Sequence, residues 1–316
     1  MGGHRDPMGG KALKVLVTGS SGFLGRQLVI ALTSRGDEVA VFDRVPPAGD
    51  GYAAAYTADL SSWPHVFDAV SSFKPEVILH TGALLSALAE ADVLGAVMGN
   101  ANGTFHVLEA ARQFGVRQVV FTSTIATYGR AAPDIVSDDS PQFPGSIYGV
   151  TKVFSERLGE YYASRYGLDF RAIRFPSVIG PGRGDSGLSA YSSLIIDRPA
   201  QGLPYTVPLE SETSIPILYI DDAVRALVEI SAAKPSELTR NCYLLAGIAP
   251  SAAEIAQAVK DAIPGARIGF KPDPEAQQIV DSWPRGVDES AAVEDWRWKA
   301  GFDLASMVRA FVEATR

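Results

Sequence analysis

A chain of 316 residues with 47% hydrophobic and 20% charged residues has an ordinary globular composition, which excludes the disordered, collagenous and low-complexity classes. A formal net charge of −8, with no cluster of lysine or arginine, speaks against nucleic acid or an anionic membrane as partner and points to a small-molecule substrate. One cysteine, Cys242, permits no internal disulfide and fits a reducing, cytoplasmic setting, while His4, His65, His80 and His106 lack metal-ligand spacing, so no metal is expected.

The first ten residues, MGGHRDPMGG, carry neither an apolar targeting core nor an arginine-rich amphipathic pattern and read as a disordered leader. From Lys11 short apolar runs alternate with amphipathic stretches: KVLVTG, then a helix through Ala31; EVAVFD; a helix near Trp63 to Ser72; EVILHTG; a helix through Arg112; and QVVFTS. Five or six apolar residues in a row mark strands buried on both faces, and strands alternating with helices mark right-handed βαβ units. The expected fold is α/β, with a doubly wound parallel-sheet Rossmann domain over 11–176. Beyond Pro176 the period weakens, PGRGDSG and PLESETSIP are rich in turn formers, and one longer amphipathic stretch, SAAEIAQAVKDAI, follows. Residues 177–316 are expected to form mainly a smaller, irregular C-terminal substrate lobe.

The first strand runs directly into Thr18-Gly19-Ser20-Ser21-Gly22-Phe23-Leu24-Gly25, which opens the first helix. Gly19, Gly22 and Gly25 allow a tight turn, a close approach of backbone to a pyrophosphate, and close packing of helix on strand. Asp43 closes the second strand 18 residues after Gly25, where a carboxylate can bond the adenosine ribose hydroxyls. Such a carboxylate repels a 2′-phosphate and favours NAD over NADP, although the adjacent Arg44 pulls the other way. Asp59 and Leu60, after a third short strand, can reach the adenine amino group or serve as an ordinary helix cap.

In SIYGVTKVFSERLGEYYASRYG, Tyr148 and Lys152 stand four residues apart on a predicted helix and share one face. An ammonium a few ångströms from a phenol lowers the phenol pKa from about 10, so that Tyr148 can exchange a proton with a substrate hydroxyl. Just upstream, FTSTIATYG ends a strand where Ser123 or Thr124 can present a hydroxyl to the same substrate oxygen. Ser86, in ALLSA, is the candidate partner of a substrate carboxylate, with Ser189 and Tyr191 closing the pocket.

Together these motifs resemble the extended short-chain dehydrogenase/reductase family, the NAD-dependent epimerases and dehydratases, over essentially the whole chain from Lys11. The resemblance implies that TGSSGFLG, including Ser21, Phe23 and Leu24, holds NAD together with Asp43. It implies that His80, Thr81, Gly82 and Ala83 of ILHTGA, with Asn100 and Thr122, line the dinucleotide, that Lys152 also bonds the nicotinamide ribose, and that Pro176 to Val178 pass the nicotinamide amide. YIDDAV at 219–224 is similar to the family's returning segment, so that about 216–232 rejoins the Rossmann domain. A homodimer through the helices at 101–114 and 147–166 is implied as well.

Within the family, HTGALLSA, SIYGVTKVFSERLGEYYASRYGLDFRAIRFP and the distal VDSWPRGVDESAAVEDW resemble the short-chain-type L-threonine 3-dehydrogenases. Those enzymes tend to carry G-T-T-D-Y facing the amino acid, whereas this chain reads Gly187-Leu188-Ser189-Ala190-Tyr191. Losing a carboxylate beside a substrate ammonium removes a charge-assisted bond of roughly 1.5–3 kcal/mol, which argues for a bulkier β-hydroxy acid or a sugar acid. The alternative is a nucleotide-sugar epimerase or dehydratase. Those relatives usually place asparagine where Ser177 stands and an arginine near Ile215, and a buried diphosphate without a cation is poorly compensated.

Overall fold

The computed structural model describes residues 12–45, 51–129 and 131–315, and the expected leader lies outside the described residues. Six strands, β1 (Lys14–Thr18), β2 (Glu38–Asp43), β3 (Ala54–Thr57), β4 (Val77–His80), β5 (Gln118–Thr124) and β6 (Asp169–Phe175), lie parallel in one sheet. Two short strands, β7 (Ser177–Ile179) and β8 (Ile217–Tyr219), pair with each other, and β9 (Cys242–Leu244) adds a seventh parallel strand beside β6. The sheet order is β3-β2-β1-β4-β5-β6-β9. Strand order reverses between β1 and β4, and such a reversal opens a crevice beyond the carboxyl ends of the strands.

The helices that frame the sheet and the cleft include α1 (Phe23–Arg35), α2 (Trp63–Phe73), α3 (Ser86–Ala91), α4 (Gly103–Phe114), α5 (Ile147–Tyr166), α6 (Tyr191–Ala200), α7 (Ile220–Ala232), α8 (Ala252–Ala262) and α9 (Leu304–Thr315), with other short helices and turns between them. Alternation along each strand explains the apolar runs. Val15 and Val17 of β1 pack with Leu28 and Leu32 of α1 and with Leu227 and Ile230 of α7, whereas Leu16 packs with Val66 and Val70 of α2 and Val107 and Leu108 of α4. Fully burying each such leucine contributes roughly 1.5–3 kcal/mol. The core on the α1 face continues without a break into Ile195 of α6, Ile255 and Val259 of α8 and Val308 and Phe311 of α9, so the residues after Pro176 share one core with the sheet.

Three helices run past their expected ends: α1 to Arg35, α2 to Phe73 and α4 to Phe114. Each stops where the backbone turns left-handed, at Gly36 (φ +91°), Lys74 (φ +52°) and Gly115 (φ +69°), which ends a helix wherever the apolar stripe stops. No described helix is long and apolar enough to cross a membrane.

Candidate active site

A cleft of about 1140 Å³ opens over the carboxyl ends of β1, β4 and β5. At its floor β1 passes into the glycine turn. Gly19 sits at φ +70°, and a Cβ there would lie 2.5 Å from the Cα of Gly82. A Cβ on Gly25 would overlap the carbonyl of Gly19, so helix and turn approach as only glycine permits. No side chain caps the N terminus of α1 and no acidic residue sits in its first turn, which leaves backbone N–H groups for an anion. Ser21, Gly22, Phe23 and Leu24 border the cleft beside them.

Asp43, at the end of β2, accepts bonds from the N–H groups of Ser21 (3.0 Å) and Val45 (3.3 Å), so its carboxylate is fixed to the glycine turn. Arg44 lies exposed on the same rim. Asp59 accepts from the N–H of Ser61 at 2.8 Å, and Leu60 wedges between Gly82 and Gly103. Thr81, Gly82 and Ala83 form the opposite wall, with Thr81 Oγ1 donating to the carbonyl of Thr18 at 2.7 Å. Asn100 lies in a widened helical turn, Val97–Asn102. Its amide bonds the N–H (2.7 Å) and carbonyl (3.0 Å) of Leu84 and the hydroxyl of Thr151 (3.2 Å), tying this wall to α5. These features fit an extended dinucleotide: a cradle without room for a Cβ, a free helix N terminus, and a carboxylate at the far end.

His80 does not join them. Its ring is buried beneath the floor, with Nδ1 on Thr18 Oγ1 (2.7 Å) and Nε2 on Thr104 Oγ1 (3.1 Å). Burial, and then the charge of Lys152, push it down to about 3, so it is a neutral strut between β1, β4 and α4.

Tyr148 and Lys152 both lie on the buried side of α5, whose first turn is capped by the hydroxyl of Ser146 (3.1 Å to the N–H of Gly149). Gly149 leaves room for the carbonyl of Ala126, so α5 packs closely under the end of β5. Lys152 Nζ donates to the carbonyl of Thr122 at 2.6 Å and lies 4.4 Å from the ring centre of Phe121 and 5.6 Å from that of Tyr148. Burial pushes its ammonium down to about 7, while Glu156 acts in the opposite direction. Tyr148 differs from the expectation of a lowered phenol: burial raises it well above its ordinary value, and the Thr124 hydroxyl opposes that rise. The ammonium is tethered to a backbone carbonyl, and desolvation outweighs its influence on the phenol.

Ser123 and Thr124 separate. Thr124 accepts from the N–H of Ala126 at 3.1 Å and stands beside Tyr148, whereas Ser123 donates to the buried carboxylate of Glu156. Glu156 also receives Arg174 (Nη2 at 2.9 Å, Nε at 3.0 Å) and Gln142 (2.9 Å), and Arg174 reaches the hydroxyl of Tyr128 at 3.0 Å. Sequence reasoning missed this network one turn beyond Lys152, although a charged residue at i+4 on the buried face of α5 was a visible signal.

At the other end Ser86, Pro176, Ser177, Val178, Leu188 and Ser189 line the cleft with Ile215, Ile279 and Trp283. Ser177 Oγ is buried without a partner among the described residues. Tyr191 lies elsewhere. It is 1% exposed, packed with Ile195 in the lobe core, and its hydroxyl has no partner among the described residues. Arg183, unremarked in the sequence, does border the cleft.

The chain matches the family described as NAD dependent epimerase/dehydratase over residues 15–243. It is 35% identical over 304 residues to the mitochondrial L-threonine 3-dehydrogenase of Bos taurus, covering 93% of this chain and 80% of that one. The holo form of a GalE-like L-threonine dehydrogenase from Cupriavidus necator is similar with a TM-score of 0.90 at 30% identity, over 96% of this chain and 100% of that one. A monomeric L-threonine 3-dehydrogenase from a metagenome, in its apo form, gives 0.89 at 27% identity over 96% and 98%.

Proposed function

The chain belongs to the NAD dependent epimerase/dehydratase family, and from that premise we propose that it is an NAD-dependent dehydrogenase oxidising the secondary alcohol of a small hydroxy acid. The carrying observation is the group of Thr124, Tyr148 and Lys152 beside a glycine cradle, in a chain similar to L-threonine 3-dehydrogenases across nearly its full length. Asp43 and the first turn of α1 hold the dinucleotide, with Asp59, Leu60, Thr81, Gly82, Ala83 and Thr122 along its length. When bound, NAD supplies the hydride acceptor and a positive charge near the phenol. Thr124 holds the substrate oxygen, and Tyr148 takes the hydroxyl proton. Lys152 keeps positive charge close to the phenol while anchored on Thr122, so that ionisation of a deeply buried tyrosine becomes affordable. Residues 11–176 serve the cofactor and most of 177–316 the substrate, with 216–232 returning to the sheet.

The wall formed by Leu188, Ile215, Ile279 and Trp283 favours an acid with a larger or less cationic end than threonine. We further assign the protein to the cytoplasm and to a homodimer through α4 and α5. The dimer is supported by an exposed apolar stripe of Met98, Phe105, Val150, Phe154 and Tyr161.

The test is NADH formation at 340 nm, with NAD and separately NADP, on L-threonine, other 3-hydroxy acids, aldonic acids and UDP-sugars. NAD-linked oxidation of one hydroxy acid is the expected result. Silence on every acid, with UDP-sugar interconversion by chromatography, would make the protein an epimerase instead.

A further inference from the structure

Arg183 lies in the loop after β7, between Gly182 (φ +77°) and Gly184 (φ +82°). Both glycines occupy backbone that side chains rarely adopt, so the loop reverses on either side of the arginine and sets it in the cleft lining, while Asp185 stays outside in water and Ser186 lies exposed at the cleft's edge. Its guanidinium is held by neutral acceptors: Nε donates to the carbonyl of Val178 at 3.2 Å and Nη2 to Ser189 Oγ at 2.8 Å. Among the described residues no carboxylate pairs with it. Two fully buried arginines do have such partners, Arg171 on Asp169 (2.8 Å) and Arg174 on Glu156 (2.9 Å).

A largely desolvated cation with no counter-ion is an energetic liability unless an anion arrives with the ligand. Burial is the sole influence on the ionisation of Arg183, and it acts downward. An arginine nevertheless stays charged, and its fork leaves Nη1 and one N–H of Nη2 free for the two oxygens of a carboxylate. From Gly145 onward the lining contributes no acidic side chain. Val178 and Ser189, which hold the guanidinium, adjoin Ser177 and Leu188 in the same wall.

We propose that Arg183 is the anchor for the substrate's carboxylate, held by its two neutral tethers at the lobe end of the cleft with the unpartnered hydroxyl of Ser177 in the same wall. The proposal rests on the hydroxy-acid reading and sharpens it to a substrate bearing one negative charge. One guanidinium among Leu188, Ile215 and Trp283 balances a single carboxylate and leaves a diphosphate under-compensated.

The experiment compares wild type, Arg183→Gln and Arg183→Lys, each checked for an unchanged melting temperature. It reads kcat/KM on 3-hydroxybutyrate and on butane-1,3-diol, the same carbon chain without the charge, and calorimetric binding of 3-hydroxybutyrate and of UDP to the NAD-loaded protein. Loss of a charge-assisted fork is expected to lower the acid-to-diol ratio of kcat/KM by roughly 10- to 100-fold in Gln, mostly through KM, with Lys in between. If neither compound is turned over but 3-hydroxybutyrate binds wild type at least about tenfold more tightly than Gln, the anchor stands and the dehydrogenase reading fails. An unchanged ratio with active enzyme overturns the anchor alone. So do equal losses on acid and diol, which would mark a structural role, and so does an absence of acid binding to wild type. Loss of UDP affinity without loss of acid affinity assigns Arg183 to a diphosphate and overturns the proposal.

Discussion

Glu156→Ala is the most revealing perturbation of the scaffold behind the reacting groups. Glu156 is fully buried and accepts bonds from Arg174, Gln142 and Ser123, so one carboxylate joins β5, β6, α5 and the Gln142 loop. Truncation leaves the Arg174 guanidinium, itself 2% exposed, with two neutral acceptors, the Tyr128 hydroxyl and the Asp138 carbonyl, and only the distant Asp138 carboxylate at 3.9 Å as counter-ion. Removing one partner of a buried pair costs roughly 3–5 kcal/mol, which at about 2–4 °C per kcal/mol lowers the melting temperature by on the order of 10 °C. Glu156→Gln keeps an acceptor and loses less. Glu156→Ala also removes the charge that holds the Lys152 pKa up, so the pH at which that ammonium loses its proton falls below about 7 and the turnover profile moves toward acid. Thermal melting and a kcat–pH profile on the three proteins, with Glu156→Leu/Arg174→Met as the fourth, provide the assay. The apolar double variant is expected to recover much of the lost stability, because no lone cation is left. A melting change under about 2 °C for Glu156→Ala would refute the reasoning, since no buried pair of this kind breaks so cheaply.

Three further outcomes are expected. Gly25→Ala forces a methyl into the carbonyl of Gly19, so affinity for NAD by calorimetry should fall at least about tenfold while the far-UV spectrum holds; undiminished affinity would mean the cradle does not set the cofactor's approach. His80 is held neutral down to about 3 in the folded chain but protonates near 6.5 when unfolded, so the unfolded state binds more protons between those values and stability falls as pH drops through that window. His80→Gln should flatten that dependence relative to wild type in parallel urea titrations at pH 7 and 5, and identical slopes would contradict the assigned strut. Phe154→Glu, on the exposed face of α5, should convert the proposed dimer to monomer in sedimentation equilibrium without altering the melting of the monomer, because like charges would face each other across the interface.

Much of the cofactor end was legible because its signals are local. The glycine spacing, the strand ending at Asp43 and the Tyr148/Lys152 pair each lie within one element or one turn, where periodicity alone brings the groups together. The edge strand β9 was not legible: Cys242–Leu244 is three residues long and comes after the turn-rich segment, so nothing in its own pattern ties it to β6. Arg183 and Glu156 escaped for a related reason. Their meaning comes from partners brought by other elements, the wall of β7 for one and the end of β6 for the other: the i+4 spacing from Lys152 marks the face of Glu156 but not its partners, and no spacing along the chain announces Arg183.

The residues assigned to the cleft that lie outside it were, by contrast, decidable from parity. Leu16 and Thr18 of β1, Ile78 and His80 of β4, and Val119, Phe121 and Ser123 of β5 fall on alternate positions, and the apolar members of this set all pack on the α2 and α4 face. His80 is therefore committed to that face by period two and bonds Thr104 from the helix covering it, whereas Ser123, of the same parity, bonds Glu156 of α5 while still bordering the cleft. Thr122 and Thr124, one register position away, are left for the cleft. The same argument at period 3.6 sets Tyr191 in line with Ile195 on the buried stripe of α6, away from Leu188 and Ser189, which precede that helix and keep their places in the wall. Strand and helix parity thus separates neighbouring hydroxyls into those left free to face the cleft and those bonded into the scaffold, a division that the chemistry of Ser, Thr and Tyr alone leaves open.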